Sequence, residues 1–369
     1  MKKYLFIALT LFVFSTQALP QKTKLNNKLT MLVGTYTNGT SKGIYTYQFD
    51  QTNGQALILD SIAIENPSYL TLSANEKFVY AVSEMPDSTA AVIAYGFNKQ
   101  NGKLKFLNRQ LTKGADPCYV STNGKIVLTA NYTGGCMSAF ALKQDGSLNT
   151  LSTLYRGSTG GPDAIRQATP HIHCAAFSPD GKYIFATDFS ADRILHFTVN
   201  PKQTIPNALK ETTNIDGDSG PRHLTFSPNG KYAYLISELS GNITVFNYRN
   251  GKLTKVQVIT ADKLHARGSA DIHLSPDGKF LYASNRLKGD GIAIFKVDLT
   301  KGTLTDIGYQ FTGIHPRNFN ITPNGKYLLV ACRDSNFIQV YQRNETTGLL
   351  NDTHQSIYLS KPVCIKFAE

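Results

Sequence analysis

Apolar and polar positions alternate along this chain in short runs that recur at a steady spacing. His223-Leu224-Thr225-Phe226 enters a turn, Tyr232-Ala233-Tyr234-Leu235-Ile236 leaves it, and Ile243-Thr244-Val245-Phe246-Asn247-Tyr248 follows. A Gly251-Lys252-Leu253 turn then leads to a fourth run, residues 254–259. Period-two runs of this length, bounded by Gly, Pro, Asn and Asp, predict β-strands.

The turn between the first two runs is itself repeated. Ser178-Pro179-Asp180-Gly181-Lys182-Tyr183 returns as Ser227-Pro228-Asn229-Gly230-Lys231-Tyr232, Ser275-Pro276-Asp277-Gly278-Lys279-Phe280 and Thr322-Pro323-Asn324-Gly325-Lys326-Tyr327. Weaker copies are Ser121-Thr122-Asn123-Gly124-Lys125 and Ser73-Ala74-Asn75-Glu76-Lys77. The Gly position, or Glu76 in the first copy, falls at 76, 124, 181, 230, 278 and 325, giving steps of 48, 57, 49, 48 and 47. The long step contains a loop insertion over residues 156–169. Pro presets φ and Gly accepts positive φ, so these marks are turn chemistry, and their Asp residues are not candidates for catalysis. The Gly-x-Leu marks at 102, 146, 251, 302 and 348 are turns as well.

Four short strands per repeat predict a propeller blade. Residues 361–369 read as a first strand with nothing after it. Residues 29–64 read as second to fourth strands with nothing before them. Joined, they make a composite blade, so the expected fold is an all-β, seven-bladed β-propeller closed by both termini. The chain has no Trp, which excludes a WD-type repeat.

The N-terminus departs from this pattern. Lys2 and Lys3 precede an apolar run from Tyr4 to Phe14, followed by Ser15-Thr16-Gln17-Ala18. This is the pattern of a secretory signal cut after Ala18, and the run is too short for a comfortable membrane span. The expected organisation is a signal over 1–18, a linker over 19–28 and a propeller over 29–369, in a periplasmic or secreted monomer without a membrane span. The formal charge of +12 becomes +10 once Lys2 and Lys3 are removed (12 − 2). A basic balance suits a small anionic substrate; no basic run with interleaved aromatics points to nucleic acid. The five cysteines (118, 136, 174, 332, 364) form no CxxC or metal spacing, and most sit in apolar runs.

A propeller also fixes which residues share a face. The start of each first strand and the end of each second strand lie at the same channel mouth. Six residues before the turn Pro stand Ser68, Asp116, His173, Arg222, Ala270 and Arg317; ten after it stand Glu84, Tyr132, Phe189, Glu238, Arg286 and Arg333. Seven of these twelve are charged, where a 17% charged composition gives about two, so the mouth is expected to hold a polar site. Glu238 beside His173 suits proton transfer, and Arg222 and Arg286 present planar forks for a carboxylate, a phosphate or an oxyanion. Arg317, Arg333, Tyr132 and His171 are expected to bind substrate. His171 and His173 share one side of a strand, but no third ligand has a supporting spacing, so neither metal nor cofactor is expected. No Gly-x-Ser-x-Gly elbow supports a serine hydrolase.

The chain resembles the propeller lactonases, a family that includes bacterial 6-phosphogluconolactonases and fungal carboxymuconate cyclases. The matching stretches are Val33-Gly34-Thr35-Tyr36-Thr37 with Gly43-Ile44-Tyr45, Asn66-Pro67-Ser68-Tyr69-Leu70, Ala130-Asn131-Tyr132, Pro170-His171-Ile172-His173, Gly220-Pro221-Arg222-His223, Ser237-Glu238-Leu239 and Ser284-Asn285-Arg286. The resemblance implies a metal-free active site of His173, Arg222, Glu238 (sixteen residues after Arg222) and Arg286, with Glu238 or His173 as base. It implies hydrolysis of a sugar lactone, by default 6-phosphogluconolactone. The alternatives are a lactonising cyclase using the same residues and a non-catalytic binding propeller. The export signal departs from the family's cytosolic sugar-phosphate substrate and makes another extracytoplasmic aldonolactone the competing choice.

Overall fold

A computed structural model of the chain describes Met1 and residues 27–199 and 206–369. The expected signal segment therefore lies outside the described residues, apart from Met1. Seven four-stranded antiparallel sheets make up the described chain. In the third repeat, for example, Ile172–Phe177, Tyr183–Asp188, Arg193–Val199 and Pro206–Asn214 pair in that order. First strands of neighbouring blades pack on one another around the central channel, and fourth strands form the half-exposed rim. The seventh blade is composite. Pro362–Ala368 is its innermost strand, hydrogen-bonded to Lys28–Thr35, with Gly43–Asp50 and Ala56–Ala63 outside.

The repeat marks have two structural jobs. Within a blade, Ser178 Oγ donates to Asp180 Oδ1 (2.6 Å) and accepts the Tyr183 N–H (3.0 Å), while Gly181 takes φ +67°. Ser227, Ser275 and Thr322 repeat this arrangement. Between blades, the aromatic residue after the turn packs on the Gly-x-Leu glycine of the next blade: Phe78 on Gly146, Tyr183 on Gly251, Tyr232 on Gly302 and Phe280 on Gly348. Each of these glycines has positive φ, and a Cβ there would overlap the ring. The next tyrosine on the strand then donates to the glycine carbonyl, as Tyr234 does to Gly302 (2.9 Å) and Tyr282 to Gly348 (2.8 Å). The two halves of the repeat thus meet across each of these blade boundaries.

A bulge opens the first strand of several blades. His173 is the extra residue between the pairs Ile172–Asp188 and Cys174–Thr187. Arg222, Arg317 and Cys118 occupy the equivalent extra position in their blades. A bulge re-aims a side chain that the pleat would otherwise place on one face. All five cysteines are buried free thiols.

Candidate active site

Three of the bulged residues, Cys118, His173 and Arg317, and the ends of second strands converge on a cavity of about 310 Å³. Its first wall centres on Glu238, directly after the strand Tyr232–Ser237. Glu238 Oε2 accepts from Arg222 Nε (2.8 Å) and lies 3.2 Å from Arg286 Nη2; Oε1 accepts from Arg166 Nη2 (2.6 Å). Burial opposes ionisation of this carboxyl, but Arg286, Arg222 and Arg166 outweigh it and pull its pKa down to about 2. Arg286 is itself held by the Gly268 carbonyl (2.7 Å).

His173 is 4% exposed and shares this wall. Burial, then Arg222 and His223, hold its pKa well below the ordinary imidazole value, so it is neutral at pH 7. Its Nδ1 lies 3.7 Å from Cys118 Sγ, and Nε2 makes no hydrogen bond among the described residues. The ring meets Tyr132 edge-on at 5.5 Å.

The opposite wall carries Glu84, Tyr36 and Arg317. Glu84 accepts hydrogen bonds from Tyr36 Oη (2.9 Å) and Ser68 Oγ, and Arg317 Nη2 lies 4.0 Å from it. The Arg317 guanidinium also sits 5.5 Å from the Tyr36 ring centroid. Three guanidiniums (Arg166, Arg286, Arg317) therefore line the cavity with three carboxylates (Glu84, Asp116, Glu238), and Arg222 stands behind Glu238.

Of the residues expected from sequence, His173, Glu238, Arg286, Arg317 and Tyr132 line this cavity. Arg222 does not; it is 1% exposed and reaches the cavity through Glu238. His171 backs the wall, stacked on Tyr132 at 4.0 Å with its Nδ1 2.8 Å from the Tyr132 carbonyl. Arg333 lies in an adjoining recess with Tyr36, Asn38, Asp334 and Lys361.

Arg222 is fixed from below. Its Nη1 donates to the Ala270 carbonyl and approaches His223 Nε2 at 3.3 Å. An arginine only donates, so His223 Nε2 accepts and its proton sits on Nδ1, where Asp271 Oδ1 takes it at 2.8 Å. Asp271 Oδ2 then meets His273 Nε2 (3.0 Å) and Asn318 Nδ2. Burial and Arg222 push the His223 pKa down to about 4, which keeps the ring neutral.

Arg166, Tyr36, Glu84, Asp116, Cys118 and Thr133 complete the cavity and are not among the expected site residues. Glu84 stood at a counted mouth position without a role. Cys118 escaped because the turn of its blade is two residues shorter: Thr122 pairs with Val127, whereas Phe177 pairs with Ile184. Six residues before the turn therefore gave Asp116, while Cys118 occupies the bulge. Arg166 belongs to the inserted loop, and nothing in the repeat register points to it.

The family described as lactonase, 7-bladed β-propeller matches residues 30–367. A 6-phosphogluconolactonase of Formosa agariphila is 36% identical over 343 residues, covering 89% of this chain and 97% of that one. A crystal structure from Bacteroides uniformis is 66% identical, with TM-score 0.92 over 93% of this chain and all of that one. The periplasmic gluconolactonase of Pseudomonas aeruginosa is 31% identical, with TM-score 0.87 over 93% and 99%. With its seven sheets, its composite closing blade and a family match over residues 30–367, the chain belongs to the lactonase family of seven-bladed β-propellers.

Proposed function

We propose that this protein hydrolyses a sugar lactone, with 6-phospho-D-glucono-1,5-lactone as the first substrate to test and its unphosphorylated counterpart as the second. The observation that carries the reading is the convergence of His173, Glu238, Arg166 and Arg286 on one cavity. Glu238 is compensated by three arginines, so it is a weak base and serves to hold those guanidiniums in place. His173 keeps a neutral ring with an unengaged Nε2, which suits it to accept a proton. In the proposed reaction, water attacks the lactone carbonyl as His173 takes its proton. An arginine N–H meets the developing oxyanion. The ring C–O bond then breaks, and His173 returns the proton to the departing oxygen.

Acid release from each lactone by the purified mature chain tests this. His173→Ala and Glu238→Gln are expected to lower kcat by about 100-fold or more. Wild-type rates in both variants would reject this site. A muconate-dependent ultraviolet change without lactone hydrolysis would favour the cyclase instead. The periplasmic or secreted location is part of the proposal, supported by the charge, apolar run and small residues of positions 2–18. Fractionation, with N-terminal sequencing expected to begin at Leu19, checks it.

A further inference from the structure

An anion placed between the walls of the catalytic cavity would meet Glu84 on one side and Glu238 on the other. The recess across Tyr36 has a different balance. It encloses about 280 Å³, and there two cations share one carboxylate. Asp334 Oδ1 accepts from Arg333 Nε (2.9 Å) and Lys361 Nζ (2.9 Å), while Oδ2 accepts from Arg333 Nη2 (2.8 Å). Arg333 Nη1, the remaining Lys361 Nζ protons and the Asn38 amide make no hydrogen bond among the described residues. The Arg333 and Lys361 side chains are 27% and 28% exposed, partly desolvated yet reachable. Asp334 acts as a strut: it orders two long cationic side chains and leaves donors on both unspent.

Tyr36 lines both the recess and the cavity, so the two spaces share this side chain. Glu84 holds its hydroxyl and Arg317 lies near its ring. Arg333 is also linked to the catalytic wall: its Nη2 and Arg286 Nη1 lie 3.2 Å from the two nitrogens of His315.

We propose that this recess is the subsite for a phosphate monoester at the far end of the lactone substrate, with Arg333, Lys361 and Asn38 supplying the donors. This rests on the lactonase reading and deepens it, because it separates the groups that select the substrate's charge from those that open its ring. A guanidinium fork and an ammonium together suit a dianion with three acceptor oxygens.

The test compares kcat/KM for 6-phosphogluconolactone and gluconolactone in the wild type, Arg333→Ala and Lys361→Ala, with thermal melting as a folding control. The wild type is expected to prefer the phosphorylated substrate. Each variant is expected to lower that preference by about tenfold or more, mainly through KM for the phosphorylated lactone. A wild type without preference, or variants that slow both substrates equally, would overturn the subsite. Titration with inorganic phosphate keeps the two readings apart. If the wild type opened neither lactone, the lactonase reading would fail; phosphate binding lost in Arg333→Ala would still support the subsite, and absence of phosphate binding would reject it.

Discussion

Asp271 does not line the cavity, yet it sets the proton on His223 and so the acceptor that Arg222 meets. Asp271→Asn offers His223 Nδ1 an amide that can donate, which favours the other tautomer and turns an N–H toward Arg222. The expected result is a loss of about tenfold or more in kcat with little change in KM, because Arg222 then holds Glu238 less well. A merely structural role would instead lower melting temperature and leave the kcat of the folded fraction intact. At this scale, the sequence was legible wherever a residue's role follows from counting. Six before and ten after the turn located His173, Arg317, Tyr132, Glu238 and Arg286 at the cavity. The count failed at Cys118, where a turn is shorter, and it could not reach Arg166, whose approach to Glu238 spans 72 residues of chain.

The blade is the level at which the sequence was most legible. Period-two runs located the strands, and the turn marks located their ends, because both follow from local chemistry. What the marks do between blades was not legible, since it needs two repeats placed side by side. Gly302 shows the consequence. It has φ +73°, and a Cβ would overlap the Tyr232 ring of the preceding blade. Gly302→Ala therefore combines backbone strain with overpacking and is expected to destabilise by about 2–4 kcal/mol. Chemical denaturation of the variant measures this, and a change below about 0.5 kcal/mol would show that the contact relaxes freely.

For the molecule as a whole, acid is the expected weak point. Five of the eight histidines, His171, His173, His196, His223 and His315, are held below the ordinary imidazole value, each with burial as the largest cause. Between about pH 6.5 and the folded values, the unfolded chain binds protons that the folded chain refuses. Stability therefore rises with pH through this window and falls as pH drops from about 6.5 toward the His223 value of about 4. Glu238, also depressed, adds loss in the same direction at lower pH. Melting temperature measured from pH 8 to pH 4 should be flat at first and then decline. A flat profile throughout would mean that these rings are not held neutral.

The composite blade also imposes an order in time. Its innermost strand, Pro362–Ala368, follows all six other blades in the sequence, yet it packs between the first strands of the first and sixth repeats. A chain that emerges N-terminus first can assemble individual blades, but it cannot seal the ring until this strand has joined the blade that Lys28–Thr35 began.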